Sequence, residues 1–148
     1  RILDEEPAVR AALQGHGGAL LAAFARVGNR AGVQHLLDAG IPVDAPCTEG
    51  DGYFDIAPDS TALHVAAWRG WPGVVRLLIA RGADVHRHDG RGRSALALAV
   101  RACVDSYWTD RRTPDSVQAL LGAGASREGI PLPSGYDAID ALFQAHGA

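Results

Sequence analysis

Two stretches of this chain repeat one another in their apolar positions, and that self-similarity limits the fold more than any other feature. Leu21, Phe24, Ala25, Gly28, Val33, Leu36, Leu37 and Gly40 recur 42 positions later as Leu63, Ala66, Ala67, Gly70, Val75, Leu78, Ile79 and Gly82. Leu63, Ala66 and Ala67 fall at i, i+3 and i+4, one face of a helix. Thr61 can cap that helix with its hydroxyl, Gly70 ends it, and Pro72 suits the first position of the next. Val74, Val75, Leu77, Leu78 and Ile79 leave the second helix apolar on more than one side, so it must pack on two faces. Gly82 supplies the left-handed residue that stops it.

Within the central unit, residues 60–89, the run Thr61-Ala62-Leu63-His64-Val65-Ala66 resembles the ankyrin-repeat signature T-P-L-H-x-A, whose period is 33 residues. Ala62 stands where the signature has proline. The resemblance implies an all-α solenoid of stacked helix-turn-helix units with hairpin-like loops, comprising about three recognisable repeats plus abbreviated caps.

On this frame residues 1–18 form an N-terminal cap, with Pro7 opening its helix and His16-Gly17-Gly18 breaking it. Residues 19–59 form a repeat with a long loop, because the offset of 42 is one period of 33 plus nine and the helices align without gaps. Long loops in compact domains are usually functional or disordered, and Tyr53, Phe54 and Ile56 argue for a packed one. Residues 60–92 are the central repeat. Residues 93–127 form a third: Ser94, Leu96 and Ala99 follow at the bare period, while Val117, Leu120 and Gly124 follow Val75, Leu78 and Gly82 at 42. Nine residues therefore enter between its two helices, lengthening the first through about Tyr107 and restarting the second with Thr113 as cap and Pro114 in the first turn. Residues 128–148 form a C-terminal cap whose one helix spans 138–144, with Ile139, Leu142 and Phe143 packed inward.

At 148 residues and 47% apolar composition, the chain is long enough to bury a sizeable core. A net charge of -3 argues against bulk capture of nucleic acid. No apolar run approaches the roughly 18 residues of a membrane span, and no signal peptide is evident. All 14 basic residues are arginine and methionine is absent. With the abundant alanine and glycine, this reads as a GC-rich, bacterial origin and a cytoplasmic protein. A chain opening at Arg1 reads as a fragment or a processed product. Cys47 and Cys103, an isolated pair in a chain that can build its own core, read as two reduced thiols rather than a disulfide.

Candidate chemistry is sparse. Asp84, His86, His88 and Asp89 invite a metal reading, but an extended strand puts only the two histidines on one face, where a closed zinc site takes four ligands. They read as surface residues. Glu49, Asp51 and Asp55 lack the terminal glutamate of a calcium loop and read as turn residues. No nucleophile elbow, phosphate loop or dinucleotide fingerprint is present, so the chain is not read as an enzyme and no cofactor or metal is expected. The resemblance implies for His64 a hydrogen-bonding role within and between repeats.

Aromatic and arginine residues carry more. By analogy with the family, the variable positions on the concave side are Arg26, Trp68, Arg69 and Arg101, with Trp68 exposed at the centre. Trp71 occupies the helix-cap position that Asn29 and Thr113 fill elsewhere, a task tryptophan cannot perform. Tyr53 and Phe54, and Tyr107 and Trp108, lie in the two insertions, where they either meet a partner or fold back on the array. Large aromatics and arginines are typical interface anchors. The expected function is a non-catalytic protein-protein interaction module whose protein partner lies across the concave side. The alternatives are a structural or regulatory segment of a larger protein, or an enzyme using the insertions as a pocket. Neither nucleic acid nor membrane is expected as a partner.

Overall fold

A computed structural model of the chain describes residues 7–52, 55–104 and 112–146, with residues 7–16 as backbone only. The described residues form seven helices: α1 (Pro7–Arg26), α2 (Arg30–Asp38), α3 (Ala62–Arg69), α4 (Pro72–Ala80), α5 (Ala95–Val104), α6 (Asp115–Gly122) and α7 (Asp137–His146). Among the described residues, β-structure is limited to the isolated bridges Cys47–Ser60, Asp51–Ile56 and His88–Ser94, all in hairpin-like exits. Helices α1, α3 and α5 pack side by side in one row, and α2, α4 and α6 in a second, with α7 closing against α6. Each helix pair therefore meets only its neighbours, the arrangement the repeated pattern requires.

The central pair shows why this sequence stacks. Helix α3 is buried from Ala62 to Trp68, flanked by α1 and α5. Thr61 caps it: its hydroxyl accepts the His64 amide at 3.4 Å, and the His64 Nδ1 accepts the Thr61 amide at 3.2 Å. This is a reciprocal capping box with histidine in place of the usual acid or amide. In the second row Val33, Val75 and Val117 occupy equivalent places, and all are fully buried. Leu78 and Leu120 are buried completely as well, whereas Leu36, in the first pair, is only partly covered.

Between repeats, polar contacts tie each exit to the next. The Arg81 guanidinium donates to Asp38 at 2.8 Å, the Asp84 amide to the Asp44 carboxylate at 3.1 Å, and the Gly90 amide to the Pro58 carbonyl at 2.7 Å. The surface pair Arg81–Asp38 adds little by itself. The bonds made by Asp44 and Pro58 satisfy backbone donors that would otherwise need water.

Three expectations are corrected. The glycines at 17 and 18 do not break the first helix; α1 runs unbroken from Pro7 to Arg26. A Cβ on Gly18 would lie 2.0 Å from the Pro46 carbonyl oxygen, and one on Gly17 would lie 2.6 Å from Ile41. These glycines serve the close approach of the long connection to α1 rather than a turn. In the third repeat, the described part of α5 ends at Val104, so the expected extension through Tyr107 lies outside the described residues. Pro114 rather than Thr113 occupies the cap position of α6, without a side-chain cap bond, while the Thr113 hydroxyl accepts the Asp115 amide at 3.3 Å. Finally, α7 extends the expected helix by a residue at its start and two at its end, with Ile139 and Phe143 buried and Leu142 partly covered.

Candidate functional site

The row formed by α1, α3 and α5 carries Arg26, Trp68, Arg69 and Arg101 of the residues singled out by sequence, and its centre differs from expectation. Trp68 is buried, with 6% of its surface exposed, and belongs to the core. The long connection between α2 and α3 folds back over it. Asp55, Ile56 and Ser60 from that connection close on Trp68 together with Val65, Arg93 and Leu98, leaving no room for a water molecule between them. The exposed position expected from the family pattern is thus covered by the insertion this chain adds. Arg101 completes the cover, its guanidinium lying over the Trp68 ring at 4.7 Å from the centroid, within the range of a cation–π contact.

Asp55 organises this cover, a role its reading as a turn residue did not include. Its backbone is left-handed, with φ of 58°, and its carboxylate receives three guanidiniums: Arg91 at 2.5 Å, Arg93 at 3.5 Å and the closely bonded Arg101. Arg93 also donates to the Asp55 carbonyl at 3.3 Å and to the buried Asp89 carboxylate at 3.0 Å. Partial burial works to raise the Asp55 pKa. The hydrogen bond and charge of Arg101, the charge of Arg93 and the bond from Arg91 outweigh it and hold the carboxyl below its usual value.

Trp71 sits at the cap position of α4 without a side-chain cap bond, as the sequence implied. Its indole N–H instead donates to the Arg26 carbonyl at 2.9 Å, and its ring lies against Gly28. It is a half-buried tie between the first two repeats, a role its reading as a residue for a partner did not include. Arg26 and Arg69 are half-buried, and 41% of the Arg101 side chain is exposed. Tyr53, Phe54, Tyr107 and Trp108 lie outside the described residues.

His64 is used structurally. With its Nδ1 accepting from the Thr61 amide, the ring proton resides on Nε2, which donates to the Arg87 carbonyl at 2.9 Å. Burial depresses its pKa below the usual histidine value, against the opposing pull of Asp89 and of the backbone carbonyls. His86 and His88 are exposed, and among the described residues no group of three or more histidines, cysteines or carboxylates is placed to hold a metal ion. Burial likewise pushes the Cys103 thiol up, and its S–H donates to the Thr113 carbonyl at 3.1 Å.

Sequence reasoning missed a groove beside Arg101. Ala97, Val100 and Val104 of α5 form one wall, and residues 130–134 form the other, around a cavity of about 300 Å³. The second wall is fastened to α7, because the Ser134 amide and hydroxyl each donate to Asp140 at 2.7 Å. The prolines at 131 and 133 were the available signal.

Comparison with known proteins fits this geometry. Residues 36–99 match the family described as ankyrin repeats (many copies). Over 84 residues the chain is 39% identical to serine/threonine-protein kinase 12 of Arabidopsis thaliana, covering 57% of this chain and 16% of that protein. Over 87 residues it is 37% identical to protein phosphatase 1 regulatory subunit 27 of Mus musculus, covering 56% of this chain and 49% of that protein. The chain thus spans less than half the length of either relative. No helix among the described residues is long and apolar enough to cross a membrane. With the repeated capped helix pairs, the two helical rows and the family match over 36–99, the fold is an all-α ankyrin-repeat solenoid, a class of repeat that generally mediates protein-protein interaction.

Proposed function

We propose that this chain is a non-catalytic binding module that holds a protein partner along the face formed by α1, α3 and α5. One observation carries the reading: the face is built before any partner arrives. The connection over α3 is pinned by Asp55 to three arginines of the next two repeats, and residues 130–134 are pinned to α7 through Asp140. A surface whose side chains are already placed loses little ordering entropy on binding. Arg26, Arg69 and Arg101 are the partner-facing residues on this reading. Trp68 acts beneath the surface by holding Arg101, and Trp71 by fixing the first two repeats. The name of the mouse relative, a regulatory subunit of protein phosphatase 1, supports a role exercised on another protein.

Site-specific photo-crosslinking in the native host tests this. A photoreactive residue at Ala97, on the α5 face, should capture a protein that one at Gln34, exposed on α2, does not. Capture from Gln34 with none from Ala97 would place the binding surface on the opposite row.

A further inference from the structure

We infer that the groove between α5 and residues 130–134 takes an extended acidic segment of a protein partner, with an aliphatic side chain in the groove and a neighbouring carboxylate on Arg101. This rests on the binding role proposed above and adds the chemistry of the partner. The groove is apolar along its length, lined by Ala97, Val100, Val104, Ile130 and two prolines, and its volume of about 300 Å³ is at the lower end of ligand-sized pockets. Arg101 is the charged residue in its lining.

Donor arithmetic gives the sign of the ligand. Three guanidiniums carry about fifteen N–H donors, while one carboxylate offers about four lone-pair sites. Asp55 therefore cannot saturate Arg91, Arg93 and Arg101. Arg93 turns its remaining capacity to Asp89 and to the Asp55 carbonyl. Arg101 gives one nitrogen to Asp55 and holds its guanidinium carbon over the Trp68 ring. These two contacts hold the fork, and 41% of the side chain remains exposed on a residue that lines the groove. Arg91, half exposed, gives one nitrogen to the other oxygen of Asp55. An oriented guanidinium of this kind suits a carboxylate. An aliphatic residue beside that carboxylate matches the apolar walls. The apolar groove and the chain's net charge of -3 both disfavour a nucleic-acid phosphate as the anion.

Fluorescence anisotropy with four labelled probes tests the inference. The probes are ten-residue peptides alternating leucine with glutamate, leucine with glutamine, and serine with glutamate, and a single-stranded DNA ten-mer. The leucine–glutamate peptide should bind at least about tenfold tighter than each of the others, the scale of one hydrogen bond to a charged group. Arg101→Gln should bring its affinity down to that of the leucine–glutamine peptide, and Arg101→Lys should recover only part of the loss. Ile130→Ser, which removes apolar surface from the groove wall opposite α5, should abolish the preference for leucine while thermal unfolding remains cooperative. Equal binding of the leucine–glutamine or the serine–glutamate peptide would overturn the inference, as would DNA binding as tight as the best peptide or no binding by any probe. If Ala97 still crosslinks a protein while the acidic peptide fails, the acidic-segment inference falls and the binding role stands. If both fail, both fall.

Discussion

Gly28 and Trp71 meet across the first two repeats, and their contact can be weighed directly. Gly28 holds φ at 73°, and a Cβ built on it would lie 2.6 Å from the Trp71 ring. Two penalties follow for Gly28→Ala. A left-handed alanine costs about 1–2 kcal/mol, and forcing a methyl into the packed ring costs about 1–3 kcal/mol more. The total is about 2–5 kcal/mol. Trp71→Ala removes the ring and the indole bond to Arg26. Because Trp71 is only half-buried, its loss should be about 2–4 kcal/mol, below the range for a fully buried tryptophan. In the Trp71→Ala background the steric part of the glycine penalty disappears. Gly28→Ala should then cost only about 1–2 kcal/mol. The double variant should therefore be more stable than the sum of the singles by about 1–3 kcal/mol, a normal coupling for residues in contact. Urea unfolding of the four proteins measures this, provided the slope with denaturant stays constant. An equal cost of Gly28→Ala in both backgrounds would refute the packing of Trp71 on Gly28 and the tie it makes between repeats.

Other perturbations probe separate parts of the account. Leu78→Ala, at a fully buried site in α4, should cost about 2–5 kcal/mol in denaturant unfolding; a loss near that of a surface substitution would mean the repeat register is wrong. Trp68→Ala should cost about 3–5 kcal/mol, since the residue is core, and an unchanged melting temperature would show that the insertion does not cover it. Because the folded-state pKa of His64 is depressed, its neutral form contributes stability above the unfolded value of 6.5, and that stability is lost as pH falls below it. Between pH 7.5 and 5.5 the fall in melting temperature should therefore be shallower in His64→Gln than in the parent, and parallel curves would exclude His64 as the source. Zinc at stoichiometric concentration should leave the melting temperature unchanged if His86 and His88 act as surface residues, whereas a chelator-reversible rise would reveal a site.

The helix pairs were legible because their signals are local. A cap, an apolar face and a terminal glycine lie within ten residues of one another at Thr61, Leu63 and Gly70, and the seven-residue step from apolar residue to glycine recurs from Leu21 to Gly28 and from Val117 to Gly124. The candidate site was less legible because its contacts are long-range. Asp55 meets arginines 36, 38 and 46 positions away, and no local pattern links them. Trp68 was misplaced for the same reason. Its position is open in the repeat pattern, and only the path of the inserted connection closes it. Gly17 and Gly18 read as punctuation, but a glycine is also what a helix needs where another backbone approaches, and here Pro46 does so. Trp71 was correctly seen as unable to cap, yet its partner, the Arg26 carbonyl, lies 45 residues away.

The central claim is that a protein partner is held on the α5 face beside Arg101. Amide hydrogen exchange of this chain, with and without the partner captured through Ala97, tests it most directly. The account predicts slower exchange on binding in α5 and in residues 127–136, with little change in α2 and α4. Protection confined to α2 and α4, with α5 unaffected, would contradict it.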